Sequence, residues 1–406
     1  MSKASSKAPG THLPQSKNDT VSSGDNLLTA LVSGCTAAAF TATVTYPFDF
    51  IKTQQQINNA PYMKKWNIPG NYPATLGQMY KGGSALVLGA VVKNGSRLVS
   101  YNWASKFMSI DSHDGETNKT TAPRIVIAGI MSATIETAFL IPFENIKITM
   151  IQNQSLKNEL TRTKDIGYDI TGTKVGHHSH HHPHQHDHHG ATGKSLFARQ
   201  YVSPNSYYSA EILDTKKRTA RFSAPAPKGV RNVESLKAYY NKHPSLTLFG
   251  TIREMYNLKG FTAFTSGTFI TYTRQIALSW VWFSSYNAMR QLINPHQTEN
   301  AWFGHSHTLV QSLGLHTISS LAVIAVTQPL DVVKTHMQSK NGKAVYRDSL
   351  STAYKLFMRQ GPLSLFKGAL PRFIKVLVSG GSTGIVYEYV ENVVNAAGGQ
   401  TMFKLE

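Results

Sequence analysis

The chain repeats one short motif three times, and each copy closes a long apolar stretch. The copies are Pro47–Lys52, Pro142–Lys147 and Pro329–Lys334, each with a proline, a carboxylate two residues later and a lysine three residues beyond it. An internal repeat constrains the architecture before any other signal, because each copy builds the same structural unit. The motif therefore predicts a bundle with threefold pseudo-symmetry and a ring of alternating charges.

A second landmark follows each proline, as a cluster that ends in a glycine before the next apolar stretch. The three glycines are Gly82, Gly267 and Gly368. A polar residue then comes at one constant distance after each glycine, at Asn102, Asn287 and Glu388. The constant spacing aligns the three copies with one another. It also shows that the middle copy carries a long insertion between its proline and its glycine.

These landmarks divide the chain into five parts. Residues 1–25 form a Ser-, Lys- and Pro-rich tail that lacks the features of a secretory signal or a cleaved transit peptide, and we expect it to be disordered. Residues 26–152 hold the first repeat and the first helix of the second. Residues 153–240 are a low-complexity, His-rich insertion whose composition does not support independent folding. Residues 241–397 hold the rest of the second repeat and the third, and residues 398–406 form a C-terminal tail.

The formal charge of +19 fits three kinds of partner: nucleic acid, anionic lipid head groups or an anionic small molecule. No zinc finger, RNA-binding signature or basic-region helix accompanies the charge, so we expect no nucleic-acid partner. No nucleophile–base pair or phosphate loop stands in a sensible context, so we expect neither an enzyme nor a cofactor. The one cysteine, Cys35, is predicted to be a small residue on a close-packed helix face.

The threefold Pro-x-Asp/Glu-x-x-Lys signature with its downstream glycines resembles the mitochondrial carrier family of inner-membrane solute transporters. The resemblance covers residues 25–397 apart from the insertion. It implies an all-α membrane protein with six transmembrane helices in three pseudo-symmetric helix–loop–helix repeats, joined by short helices on the matrix side. It further implies a monomer with both termini toward the intermembrane space. An anionic substrate and an inner-membrane lipid such as cardiolipin are the partners that fit the positive charge.

The resemblance assigns the charged motif to a gate on the matrix side. The prolines would kink their helices, because proline removes a backbone hydrogen bond and clashes with the preceding turn. The carboxylate of each copy would pair with the lysine of the next, giving the pairs Asp49–Lys147, Glu144–Lys334 and Asp331–Lys52. Two glutamines, Gln56 and Gln338, match the family's bracing positions, whereas the middle repeat has Ile151. For one copy alone, a helix end with an i, i+3 pair is the simpler interpretation.

A second gate on the cytosolic side is less complete in the sequence. Family members commonly carry an acid and a base there, and the corresponding residues are Asn102, Asn287, Arg290, Glu388 and Glu391. Only Arg290 can form an ion pair, with Glu388 or Glu391. We therefore predict a weak cytosolic gate and a resting preference for the cytosol-open state. Polar hydrogen bonding through the asparagines is the alternative.

The substrate site is predicted from the aligned second helices of the repeats. Counting back from the polar landmarks in steps of four keeps each set of positions on one helix face. Four cations lie at these positions without a carboxylate among them: Lys93, Arg97, Arg274 and Lys375. A cation within a membrane is a functional-site hypothesis by default, and this set favours a multiply charged anion. Snorkelling to the interface is the alternative for Arg97.

The pair Arg274–Gln275 is similar to the pair in family members that carry keto acids, dicarboxylates and tricarboxylates. Arginine binds a carboxylate with two parallel hydrogen bonds, which suits this class. Three stretches also resemble tricarboxylate (citrate) carriers: 93–97, 142–147, and 371–375 together with 379–381. The chain departs from those carriers at Leu278 and Trp282, where they have further polar and basic residues. We therefore predict exchange of a di- or tricarboxylate, with a 2-oxo acid or an aromatic or thiolated anion left open.

A histidine tract in the insertion offers a different chemistry. Nine of thirteen consecutive positions are histidine: His177, His178, His180, His181, His182, His184, His186, His188 and His189. Neutral imidazoles bind zinc, copper or nickel, but the tract lacks the fixed spacing of a structural zinc site. A solvated low-complexity expansion and a metal-binding segment are both compatible with it. The tract also underlies a competing hypothesis, a carrier-fold protein that no longer transports and serves as a matrix metal-binding or interaction scaffold.

Overall fold

The structure is a computed structural model that describes residues 23–58, 75–109, 122–166, 203, 205–207, 228–293, 309–346 and 348–398. These residues form helices and the turns between them, with no strand in the described part of the chain. The prediction of an all-α protein is confirmed at this level. Residues 1–22 of the predicted N-terminal tail, residues 399–406 of the predicted C-terminal tail and the histidine tract lie outside the described residues. Residues 23–25 and 398, which were assigned to the tails, are helical.

In the described part of the chain, six helices are long and five are short. The long helices are α1 (Ser23–Ile57), α3 (Gly83–Ser109), α4 (Ala122–Ile166), α7 (Thr268–Ile293), α8 (Leu309–Gln338) and α11 (Ala369–Gly398). The short helices are α2 (Leu76–Met79), α5 (Lys228–Lys242), α6 (Leu248–Lys259), α9 (Gly342–Val345) and α10 (Ser349–Gln360). Two 3₁₀ helices, Gly260–Ala263 and Pro362–Phe366, precede α7 and α11.

The long helices pack as a closed ring. Helix α1 packs against α3 and α11, α4 packs against α3 and α7, and α8 packs against α7 and α11. Helix α1 also contacts α4 and α8, so the first, third and fifth of the long helices approach one another. Such a ring encloses a central space that side chains of all six helices can line.

The ring has an apolar exterior. Within the described residues, one helix, over 28–57, is long and apolar enough to cross a membrane by length and composition alone. Large apolar side chains are nevertheless exposed on all six long helices, among them Phe40, Trp103, Phe139, Ile276, Trp280, Val326, Leu370 and Ile385. Exposed apolar surface on this scale marks contact with lipid or with another protein.

The three repeated prolines lie inside long helices. Pro47 is in α1, Pro142 in α4 and Pro329 in α8, and each helix continues for several residues past its proline. Each charged motif therefore belongs to the helix that contains its proline. The kinks themselves remain a prediction.

The three repeated glycines adopt the left-handed conformation just before α3, α7 and α11. Their φ angles are 94° at Gly82, 74° at Gly267 and 77° at Gly368, which only glycine adopts without strain. The carbonyl before each glycine accepts a hydrogen bond from a proline-bearing helix. The donors are Tyr46 Oη to Lys81 O at 2.5 Å, Asn145 Nδ2 to Ser266 O at 3.2 Å and Gln328 Nε2 to Lys367 O at 2.7 Å. The glycines thus turn the chain where one long helix holds the start of the next.

The predicted insertion is partly built into the fold. Helix α4 continues to Ile166, so residues 153–166 are helical, and α5 occupies residues 228–242 at the other end of the insertion. The extension of α4 is packed rather than solvated, since Asn153, Ser155 and Leu156 are all buried. Ser203, Asn205, Ser206 and Tyr207 are buried as well. Low complexity in the sequence therefore did not indicate which residues of the insertion pack.

Candidate functional site

A cavity of about 440 Å³ lies inside the ring of long helices. All six long helices contribute charged side chains to its lining. The six cations are Lys52, Lys93, Lys147, Arg274, Lys334 and Lys375, and the three carboxylates are Asp49, Glu144 and Asp331. The lining therefore carries a formal excess of three positive charges.

One end of this charged lining consists of three ion pairs between α1, α4 and α8. Lys147 Nζ lies 3.4 Å from Asp49 Oδ2, and Lys334 Nζ lies 2.5 Å from Glu144 Oε2. Lys52 pairs with Asp331. The structure thus brings together all six residues of the predicted matrix gate in the predicted pairing. Asp49, Asp331 and Lys334 are at most 4% exposed, so these charges depend on one another for stabilisation.

Two of the predicted substrate-binding cations form ion pairs with carboxylates of the predicted matrix gate. Lys375 Nζ lies 2.7 Å from Asp49 Oδ2, and Arg274 Nε lies 2.8 Å from Asp331 Oδ1. Asp49 and Asp331 are each shared by two cations, whereas Glu144 is within ion-pair distance of Lys334 alone among the described residues. The predicted binding site and the predicted gate are therefore one connected network.

The two predicted bracing glutamines differ in their surroundings. Gln56 Nε2 donates to Asp331 Oδ2 at 3.1 Å, and Gln56 Oε1 accepts from Thr335 Oγ1 at 2.7 Å. Gln338 lines the cavity, but neither polar atom of its side chain has a hydrogen-bond partner among the described residues. Gln56 thus contacts the Lys52–Asp331 pair, and Gln338 makes no matching contact.

The cations of α3 face a carboxylate that the sequence analysis did not place in the site. Glu136 of α4 is buried, and its Oε1 lies 3.1 Å from Lys93 Nζ. Its Oε2 lies 3.9 Å from Arg97 Nε. The Arg97 side chain is 65% exposed and does not line the cavity, whereas Lys93 does. Arg97 therefore lies at the margin of the site and not within it.

Arg372 is a further buried cation that the sequence analysis left outside the site. Its Nη1 donates to Gln328 Oε1 at 3.0 Å, and its Nη2 donates to Thr327 Oγ1 at 2.7 Å. Gln328 also holds the carbonyl of Lys367. Arg372 thus joins α11 to α8 beside Pro329. Its position directly after Pro371 and the resemblance of stretch 371–375 to tricarboxylate carriers were the sequence signals for it.

The remaining predicted residues are placed only in part. Gln275 and Leu278 line the cavity beside Arg274. For the cytosolic gate, Asn102 and Glu391 are both half-buried, on α3 and α11. The side chains of Asn287, Arg290 and Glu388 lie outside the description. No group of three or more metal-binding side chains occurs among the described residues, and the histidine tract is not among them.

The sequence model of the mitochondrial carrier protein family matches residues 23–112 and 305–397. These two stretches contain the first and third copies of the charged motif. Together with the carrier relatives described below, these matches make the chain similar to the mitochondrial carrier family over most of its length.

Several relatives cover nearly the whole chain. An uncharacterized mitochondrial carrier of Saccharomyces cerevisiae is 28% identical over 90% of this chain and 95% of its own length. The mitochondrial citrate transporter A of Aspergillus niger is 25% identical over 95% of this chain and 96% of its own length. The tricarboxylate transport protein of Saccharomyces cerevisiae is 24% identical, with 89% and 94% covered.

Proposed function

We propose that this carrier exchanges an anionic metabolite across the mitochondrial inner membrane by alternating access, and that the metabolite is a di- or tricarboxylate. The observation that carries the proposal is the cavity with its excess positive charge, in which Arg274 and Lys375 bridge to the carboxylates of the ion-pair ring. The citrate and tricarboxylate transporters among the relatives support the same substrate class.

Charge matching favours a substrate with two or three negative charges. The lining residues leave three positive charges in excess, and Glu136 offsets one of them through Lys93. Uncompensated charges at membrane depth are costly, so a bound anion of this valence would neutralise the site. Arginine and lysine are both suited to carboxylates, arginine through its planar fork and lysine as a point charge.

The shared carboxylates suggest how binding acts on the gate. In the structure, Asp49 and Asp331 each hold one gate lysine and one substrate-site cation. A substrate carboxylate would compete with Asp49 for Lys375 and with Asp331 for Arg274. Binding would therefore rearrange the same charges that close the ring. A ligand shifts a conformational equilibrium only through such differential contacts.

The membrane arrangement belongs to the proposal as well. The six long helices would be the six transmembrane helices, arranged as three repeats, and the exposed apolar side chains would face lipid. The ring of ion pairs would be the closed matrix gate, so the structure would represent a cytosol-open state. We also propose a monomer, with both termini toward the intermembrane space and cardiolipin-like lipid as a partner. The chain would perform no catalysis and use no cofactor or nucleic acid.

The competing scaffold hypothesis has less support. A protein that only displays a metal-binding segment needs neither a charged cavity nor buried ion pairs. Both features cost free energy to maintain, because desolvating charges is expensive even when they are paired. Their presence favours a transporter.

Exchange in reconstituted liposomes tests the proposal. Arg274→Ala should reduce citrate and malate exchange at least about tenfold, because a charged hydrogen-bond donor to the carboxylate is lost. Arg253→Ala is the matched control, since Arg253 is exposed on α6, and it should exchange at the unaltered rate. Normal exchange by a folded, inserted Arg274→Ala protein would remove Arg274 from the site and contradict the proposal.

A further inference from the structure

Four buried residues of the insertion form a cluster that joins α4 to the residues that follow α1 and α8. We call Ser203, Asn205, Ser206 and Tyr207 the anchor segment, and each is at most 5% exposed. A buried polar segment needs hydrogen-bond partners. The anchor segment finds them on α4, α5 and α6 and on the residues that follow α1 and α8.

Asn205 connects the anchor segment to α1 and α4. Its Nδ2 donates to Glu159 Oε1 at 2.8 Å, and Glu159 is on α4. The same nitrogen lies 3.4 Å from the Oδ1 of Asn58, which directly follows α1. The bond to Glu159 is charge-assisted, which makes it stronger than a bond between neutral groups.

Ser206 and Tyr207 connect the anchor segment to the end of α8 and to the short helices. Asn341 Nδ2 donates to Ser206 O at 2.5 Å, and Asn341 lies three residues after α8. Tyr207 Oη donates to Glu254 Oε1 at 2.6 Å on α6, and Tyr207 N donates to Asn241 Oδ1 at 2.9 Å on α5.

A buried lysine completes the arrangement. Lys340 Nζ lies 3.7 Å from Glu254 Oε1 and 4.7 Å from the centre of the Tyr207 ring. Both charged side chains are fully buried. Removing one partner from such a buried pair is strongly destabilising, and Tyr207 contacts both partners, through its hydroxyl on Glu254 and its ring beside Lys340.

These contacts lie beyond the ion-pair ring in the direction of the helix C-termini. Asn58 follows Asp49 and Lys52 on the first helix, Glu159 follows Glu144 and Lys147 on α4, and Asn341 follows Asp331 and Lys334 after α8. Any motion that separates the C-terminal ends of α1, α4 and α8 must therefore break contacts of the anchor segment. This holds for every substrate that passes through the ring.

We propose that the anchor segment is an intramolecular latch that holds the three proline-bearing helices together and stabilises the state in which the ion-pair ring is closed. The inference rests on the proposed function, because it takes separation of these helices as the step that opens the ring. The latch adds a second set of contacts that hold the helices together, formed by the insertion on the C-terminal side of the ion-pair ring. Releasing it would raise the population of the open state.

The test measures which state is populated and does not depend on transport. A reporter cysteine is introduced as Ser379→Cys, at a cavity-lining position on α11, in a Cys35→Ser background. A membrane-impermeant maleimide is then applied to vesicles that expose the matrix face. Labelling from the opposite face confirms that the reporter is reactive. The unaltered latch should give slow labelling from the matrix face.

Three latch variants are compared. Tyr207→Phe removes only the hydroxyl that bonds to Glu254, and Asn205→Asp places a second carboxylate against Glu159. Each should speed matrix-face labelling about tenfold, the population shift expected when a hydrogen bond to a charged group is lost. The double variant Asn205→Asp/Glu159→Gln restores a donor and an acceptor and should return labelling toward the slow rate. Tyr256→Phe is the control, since Tyr256 is exposed on the same helix as Glu254.

A gate variant separates the two proposals. Glu144→Gln weakens the ion-pair ring directly and should also speed labelling. If Glu144→Gln speeds labelling and the latch variants label at the unaltered rate, the latch is refuted and the gate stands. If Glu144→Gln leaves labelling slow as well, the ring does not control access and the latch is refuted together with it.

Discussion

The cavity and the anchor segment are both buried and polar, but different kinds of side chain form them. The cavity relies on full charges with an excess of cations, and each of its carboxylates faces one or two lysines or arginines. The anchor segment relies on amides and hydroxyls that contact the Lys340–Glu254 pair and the carboxylate of Glu159. The excess positive charge leaves the cavity suited to an anionic ligand. The charged groups around the anchor segment carry no such positive excess.

The difference also appears in how each region joins the helices. In the cavity, the helices are connected through ion pairs that a competing anion can exchange. On the C-terminal side of the charged motifs, Gln54 Nε2 donates to Ser155 Oγ at 2.9 Å, and Lys340 N donates to Gln152 Oε1 at 2.8 Å. Neutral contacts of this kind do not respond to a charged substrate. The cavity can therefore respond to substrate, whereas the anchor segment and the neutral contacts beside it determine how firmly the closed state is held.

A charge exchange in the ring is expected to have the largest effect. Lys334→Glu faces Glu144 with a second carboxylate in a mostly buried setting, and breaking such a pair costs about 3–5 kcal/mol. Exchange in liposomes should be nearly abolished. The double variant Lys334→Glu/Glu144→Lys restores opposite charges and should recover a substantial part of the exchange. No recovery by an inserted double variant would show that the pair acts through more than its mutual attraction.

The Glu144–Lys334 pairing could be predicted, whereas the burial of the anchor segment could not. Equal spacing aligns Asp49, Glu144 and Asp331 in the three copies, and the resemblance to the mitochondrial carrier family implies that each pairs with the lysine of the next copy. Asn205 and Tyr207 lie in a single-copy segment without periodicity or apolar patterning, so no signal marked them as buried. The Arg274–Asp331 and Lys375–Asp49 contacts were missed for another reason. Counting positions along a helix face predicts the direction in which a side chain points, but not how far a long side chain extends.

Removing the carboxylate at the margin of the cavity should change selectivity more than rate. Glu136→Gln frees Lys93 and Arg97 from their shared partner and raises the positive excess by one. The apparent affinity for a tricarboxylate should rise several-fold relative to that for a dicarboxylate, as expected from Coulomb attraction in a partly buried site. Competition between citrate and malate in one preparation measures the ratio, with the unaltered chain as reference. An unchanged ratio would contradict a role for Glu136 in setting the cavity charge.

The smallest effect concerns Lys340 and the pH dependence of stability. Burial lowers the pKa of Lys340 from 10.5 to about 8, against the opposing attraction of Glu254 and Glu159. Between these values the unfolded chain binds more protons than the folded one, so stability rises as the pH increases through this window. The unaltered chain should gain roughly 1.5 kcal/mol in free energy of unfolding between pH 8 and 9.5 from this group, and Lys340→Met should lack that gain.

The measurement is the thermal unfolding midpoint in detergent as a function of pH. Lys242→Met serves as the control, because Lys242 is exposed at the end of α5. Lys340→Met retains the Tyr207 ring and the hydrogen bond from Lys259 Nζ to the backbone carbonyl of residue 340, so the difference isolates the ammonium group of Lys340. An identical pH dependence in both proteins would place Lys340 in a more solvated setting than the structure shows.

The central claim is that the charged cavity binds and exchanges a carboxylate. The most direct measurement is exchange by the unaltered chain in liposomes preloaded in turn with citrate, malate, 2-oxoglutarate, phosphate and ATP. We expect saturable exchange of one or more of the di- or tricarboxylates, with little exchange of ATP. Folded and inserted protein that exchanges none of the carboxylates would contradict it.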